Sequence, residues 1–138
     1  MKQNILIVDD DKDICLTLSK ILNSKGFHVT IANNSDAAIN EIKSSSIDLV
    51  LLDVWLEGSK KDGLELLKII KNYNPITPVI LISGHANVEM AVKSIKQGAF
   101  YFIEKPFKSE KLFLIIDRAI ENAFLKNKYE IYKENLEN

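Results

Sequence analysis

Cysteine occurs once in this 138-residue chain, at Cys15, with three prolines and five glycines. A lone cysteine excludes an internal disulfide and leaves no thiolate cluster for zinc. A reducing compartment, the cytoplasm, is the expected location. The sequence has no repeat and no low-complexity segment. Neither sign of charge dominates: 18 Lys and Arg stand against 19 Asp and Glu, a formal net charge of -1. The basic footprint of a nucleic-acid binder is absent. No apolar run approaches the ~20 residues of a membrane span, and no signal-peptide pattern precedes "NILIV" at 4–8. With 46% hydrophobic and 27% charged residues, the chain reads as one ordinary globular domain with its own core.

Strand-like and helix-like segments alternate. "ILIV" (5–8), "FHVTIA" (27–32), "DLVLL" (48–52), "VILIS" (79–83) and "FYFI" (100–103) read as strands. Between them, apolar residues recur at helical spacing. Ile14, Leu18, Ile21 and Leu22 share one face of a helix that Gly26 stops. Ser35 is expected to cap a helix carrying Ala38, Ile39 and Ile42. Asp62 is expected to cap another, with Glu65 at the capping-box position and Leu64, Leu67 and Ile70 inward. Asn87 is expected to cap a helix with Val88, Ala91, Val92 and Ile95 on one side, and Ser109 to cap one with Leu112, Ile115, Ile116 and Ala119 inward. The first, third and fourth strands are continuously apolar, so both their faces are covered. The expectation is a doubly wound α/β fold: a five-stranded parallel sheet, flavodoxin-like, in the order 2-1-3-4-5. The second strand is the least apolar and belongs at an edge.

In such a sheet, ligands bind beyond the carboxyl ends of the strands. The first strand ends in Asp9, Asp10 and Asp11, the third in Asp53, the fourth in Ser83, and the fifth in Glu104-Lys105-Pro106. The second ends in Ala32-Asn33, apart from the group. Each residue has an ordinary explanation alone. "DDD" suits the cap of a helix, Ser83 a turn, and Lys105 a solvated surface. Their convergence on one edge is what calls for a function. Two carboxylates ~4 Å apart repel by about 4 kcal/mol at an effective dielectric near 20. Either one takes up a proton or a cation joins them. Oxygen-only donors suit Mg²⁺ or Mn²⁺, and such an ion favours phosphate oxygens. An aspartate beside a metal and a lysine is a suitable nucleophile for an aspartyl-phosphate.

The motifs "ILIVDDD", "VLLDVWLEG…DGLELL", "VILISGH" and "FIEKPF", in order and spaced over residues 4 to about 122, resemble the receiver (CheY-like) domain of two-component response regulators. The resemblance implies a signalling domain rather than an enzyme acting on an outside substrate. It implies Asp53 as phosphoacceptor, with Mg²⁺ held by Asp10, Asp53 and the main-chain carbonyl of Trp55, and Asp9 assisting through water. It implies Ser83 as the switch hydroxyl, Phe102 as the switch aromatic, Lys105 against the phosphoryl group, and a cis bond before Pro106. Trp55 and His85, two residues past Asp53 and Ser83, would tune the lifetime of the phosphorylated state. A sensor histidine kinase is the implied partner, with a transcription-regulating output module outside this chain. One departure is the loop after Asp53. Gly63 comes ten residues later, after "EGSKK", and Glu57 stands where the family usually has proline. This longer loop is similar to that of NtrX-type nitrogen-regulation response regulators.

Residues 1–122 are thus expected to form the receiver, and 123–138 a helical extension. Leu125, Tyr129, Tyr132 and Leu136 recur at coiled-coil spacing. A homodimer through this helix, or through the fourth helix, fifth strand and fifth helix, is one expectation; packing on its own receiver is the other. Two rival readings exist. In a haloacid-dehalogenase-type phosphatase, Asp9 would be the nucleophile, which leaves Asp53 without a role. A flavodoxin-like FMN domain would need a phosphate loop of hydroxyls, where this chain has three carboxylates. His28 and Cys15 carry no functional signal.

Overall fold

A computed structural model describes residues 2–56, 62–84 and 88–137. Five strands alternate with five helices among them: β1 (Asn4–Val8), α1 (Lys12–Ser24), β2 (His28–Ala32), α2 (Ser35–Ser44), β3 (Leu49–Asp53), α3 (Gly63–Tyr73), β4 (Val79–Ser83), α4 (Val88–Lys96), β5 (Tyr101–Glu104) and α5 (Ser109–Glu137). The strands form one sheet in the order β2-β1-β3-β4-β5, and every pairing is parallel. This is the order expected from the apolar runs. The edge position of β2 matches its weaker burial.

Side chains alternate between the two faces of a strand, and here both faces are buried. Leu6, Val8, Val50, Leu52, Val79 and Leu81 pack with residues of α2 and α3, including Ala38, Leu66, Leu67 and Ile70. Ile5, Ile7, Leu49, Leu51, Ile80 and Ile82 pack with α1 and α5 through Leu18, Leu22, Leu112 and Ile116. The β1–β3 register sets Val8 opposite Leu52, and the β3–β4 register sets Asp53 opposite Ile82. The carboxyl ends of the three central strands therefore finish level.

Helix boundaries follow local chemistry. Asp62 caps α3 by accepting from the Glu65 main-chain N–H at 2.9 Å. Gly26, just past α1, has φ +92°, a conformation that suits glycine at a helix exit. Two expected caps move by one residue. Asn34, not Ser35, caps α2, because its carboxamide oxygen accepts from Ala37 N at 2.8 Å while Ser35 turns into the protein. Ser109 is the first residue of α5 rather than the residue before it. Asn87 lies outside the described residues.

Two helices depart from the usual amphipathic arrangement. On α4 the apolar stripe faces outward: Val88 is 81% exposed, Val92 47% and Ile95 48%. The buried residue of that helix is Ser94, whose hydroxyl donates to Ala91 O within its own helix. Helix α5 continues unbroken for 29 residues. Its inward residues Leu112, Ile115, Ile116 and Ala119 are buried, as expected, while Leu125, Tyr129, Tyr132 and Leu136 are exposed. No described helix is long and apolar enough to cross a membrane.

Candidate functional site

The carboxyl edge gathers acidic groups from two strands. Carboxylate oxygens of Asp9, Asp10 and Asp53 lie within 4.8 Å of one another. Asp9 is almost fully buried at the end of β1, and Lys105, just past β5, reaches it with Nζ 3.6 Å from Oδ2. The triplet "DDD" divides its labour. Asp11 caps α1, accepting from Asp13 N at 3.0 Å and Ile14 N at 3.2 Å. Asp9 and Asp10 face the cluster. The ordinary capping explanation thus holds for Asp11.

Burial sets the electrostatics. The Asp53 carboxyl is pushed up to about 6, first by loss of solvent and then by the Asp9 charge. Lys105 and the Trp55 main-chain N–H, 3.4 Å from Asp53 Oδ1, oppose the shift. Asp9 is raised for the same leading reason, against the pull of the Asp11 N–H and Lys105. A buried and a half-buried carboxylate, both with raised pKa, and a third beside them favour a bound cation. The donor set is oxygen alone, which fits a hard divalent ion.

The remaining expected residues arrive from neighbouring elements. Ser83 ends β4, fully buried, and its carbonyl accepts from Lys105 N at 2.9 Å. Phe102, on β5, is half-buried against the α2–α3 side of the core. The Lys105–Pro106 bond is cis. Trp55 is 47% exposed next to Asp53. His85 and Glu57 lie outside the described residues.

Beneath the cluster, a cleft of about 490 Å³ runs between α1 and the start of α5, floored by Ile7, Leu51 and Ile82. Asp9, Asp53 and Lys105 line its wall. The β3–α3 loop is clasped at its base by Gly63, whose N–H donates to Val54 O at 2.9 Å. A Cβ on Gly63 would stand 2.6 Å from Asp53 O and from Val54 Cα. The first turn of α3 therefore lies directly on the backbone of the acidic strand end. In the sequence Gly63 stands out only by its spacing. Asn33 follows the edge strand, expected to lie apart from the cluster, yet its amide donates to Asp9 O at 2.9 Å.

Residues 5–117 match the response regulator receiver domain. The chain is 46% identical over 134 residues to the nitrogen assimilation regulatory protein NtrX of Azorhizobium caulinodans, covering 97% of this chain and 30% of that protein. It is similar to the crystal structure of NtrX from Brucella abortus in complex with ADP: 45% identity, TM-score 0.89, covering 94% of this chain and 30% of that one. The receiver domain of the same Brucella protein, solved alone, aligns at 47% identity and TM-score 0.81, with 85% and 98% covered. This chain spans less than a third of the length of the NtrX relative from Azorhizobium. The phosphatase alternative is not favoured, for it would leave Asp53, a member of the acidic cluster, unused. The strand order, the acidic edge, the cis-proline after Lys105 and the sequence match agree, and the chain belongs to the response regulator receiver domain family as a receiver of the NtrX/NtrC type.

Proposed function

We propose that Asp53 is the phosphoacceptor of this receiver, taking a phosphoryl group from the phosphohistidine of a sensor histidine kinase. The observation that carries the reading is the meeting of Asp9, Asp10 and Asp53 oxygens within 4.8 Å, with Lys105 beside them. Asp53 and Asp10 with the main-chain carbonyl of Trp55 would hold Mg²⁺ or Mn²⁺, and Asp9 would assist through water. Bound there, the ion supplies positive charge to the phosphoryl oxygens. Asp53 attacks phosphorus through a carboxylate oxygen as the bond to the donor imidazole breaks. Lys105 offers a second positive charge to the phosphoryl group, and Ser83 a hydroxyl.

The acyl phosphate adds dense negative charge at the sheet edge. Ser83 moves to bond it, and Phe102 follows into the vacated space by packing alone, since it has no hydroxyl to anchor it. The surface formed by α4, β5 and α5 changes as a result, a two-state element biased by a local charge. Outward Val88, Val92, Ile95 and Tyr101 give that surface apolar character. A homodimer through it, or through the exposed stripe of α5 beyond residue 122, would carry the signal to a transcription-regulating output module. In this reading residues 1–122 are the receiver and 123–138 its helical linker. The chemistry is confined to the domain's own aspartate. Trp55, half-exposed beside Asp53, and His85 would slow or admit the hydrolytic water.

The test is mass spectrometry after incubation with acetyl phosphate and Mg²⁺. One phosphoryl group is expected on Asp53, and none on the Asp53→Asn protein. Full labelling of that variant would overturn the assignment.

A further inference from the structure

Strand β2 ends at Ala32, yet the end of β1 is still held from that side. The last β1–β2 pair is Val8 with Ala32, and Asp9 N donates to Ala32 O at 3.1 Å. Beyond it the chain turns into α2, which Asn34 caps. The ladder stops there, and the Asp9 carbonyl takes a side chain instead. Asn33 Nδ2 donates to it at 2.9 Å. The Cys15 thiol, 3.4 Å away, donates to the same oxygen, and Asn33 Nδ2 also lies 3.7 Å from Cys15 Sγ. On its other side the Asp9 carboxylate accepts from Asp11 N at 2.9 Å and pairs with Lys105.

The Asp9 peptide is thus held by its N–H, its carbonyl and its carboxylate, and two of those ties run to the end of β2. That restraint matters because the turn opposes itself electrostatically. Asp9, Asp10 and Asp53 repel one another, so without restraint the acidic turn would open, and a cation would have to close it on binding. Without Asn33 the Asp9 carbonyl would keep only the weak, longer bond from the Cys15 thiol, which adds to that tendency.

We propose that Asn33 is a positioning residue for the divalent-ion site. Its amide replaces the next rung of the β1–β2 ladder and keeps the Asp9–Asp10 turn in its ion-binding shape before any ion arrives. The inference rests on the reading of the acidic cluster as a Mg²⁺ site. Partners of this kind, behind the ligands themselves, typically alter metal affinity by 10- to 100-fold. Asn33 bonds the main chain next to the carboxylates rather than a ligand atom, so the low end, about tenfold, applies.

The experiment is a Mg²⁺ titration of the full chain, followed by the fluorescence of Trp55, the single tryptophan, and repeated by calorimetry. Asn33→Leu keeps the approximate shape and removes the donor. Its Kd for Mg²⁺ is expected to rise about tenfold. Asn33→Ser, too short to reach the Asp9 carbonyl, is expected to behave alike and serves should the leucine variant not fold. Urea unfolding without Mg²⁺ separates positioning from mere structural support. A structural residue lowers the metal-free midpoint and leaves Kd alone. A Kd within twofold of the parent in either folded variant overturns the inference. A parent protein that binds no Mg²⁺ overturns the metal reading itself and this inference with it.

Discussion

The two faces of the sheet carry different halves of the proposed site. On the α1/α5 side, Ile5, Ile7, Leu49 and Leu51 lead along their strands toward Asp9 and Asp53, which line the cleft with Lys105. On the α2–α4 side, Val79 and Leu81 lead toward Ser83, and Phe102 packs against that half of the core. Alternation along a strand makes this division. Residues 9, 53 and 105 continue the face of Ile7, Leu51 and Ile103, and residues 83 and 102 belong to the face of Leu81. Charge is therefore held on one face, while the groups expected to respond to it belong to the opposite face. At the rim the two halves are joined by main-chain bonds such as Lys105 N to Ser83 O and Val54 N to Ile82 O.

Three measurements can break or sharpen this contrast. The largest effect is expected from Gly63→Ala, which presses on the acidic strand end from the α3 side. A methyl there meets three backbone atoms, at 2.6, 2.6 and 2.8 Å. Backbone cannot rotate aside as a side chain does, so α3 must lift from β3. Urea unfolding should show a loss of about 1–3 kcal/mol, the usual cost of overpacking. Unchanged stability would mean that the clasp is looser than its geometry.

Next comes Asp53→Asn, which acts on the charged face. Burial pushes the Asp53 carboxyl up to about 6 in the fold, from its ordinary 3.8, so the folded state favours the proton. That stabilisation is complete below about 3.8, the unfolded value, and is lost as pH rises through about 6. At pH 7.5 in chelator the parent therefore carries an incompletely compensated charge that the amide lacks. The variant should melt roughly 2–4 °C higher there, and the gap should close toward pH 4. Calorimetric melting across that range is the check; a variant less stable at pH 7.5 would contradict the electrostatic account.

The smallest effect is expected on the outer surface of the other face. Val88→Ser and Val92→Ser should each stay within ±0.5 kcal/mol in urea unfolding, as exposed positions do. A loss above 1 kcal/mol would show that the α4 stripe is covered by its own domain.

Most of this architecture was legible before any coordinates. Continuous apolar runs at β1, β3 and β4 can only be strands covered on both sides, and the more polar β2 had to lie at an edge. The carboxyl ends of parallel strands share one rim, so the cluster followed from the order alone. What escaped has physical causes. Helical periodicity shows that Val88, Val92 and Ile95 share a side of α4 but not whether anything covers it. The inward residues are Met90, packed on the core, and Ser94, which can be buried because its hydroxyl bonds Ala91 O. Asn34 displaced Ser35 as a cap because either side chain can accept the helix N–H groups. Asn33 was set aside because the place where a strand stops says nothing of how far its next side chain reaches. The crowding at Gly63 depends on three backbone atoms that no pattern in the sequence records.

The uninterrupted α5 has a mechanical corollary. At 1.5 Å per residue, the stretch from Glu121 to Glu137 makes an arm of roughly 24 Å. Its fulcrum is the buried face around Ile116 and Ala119, and a ~10° tilt there swings the far tip by about 4–5 Å. A lever of that length turns a shift smaller than a bond at the core into one wider than a methyl group at Leu136.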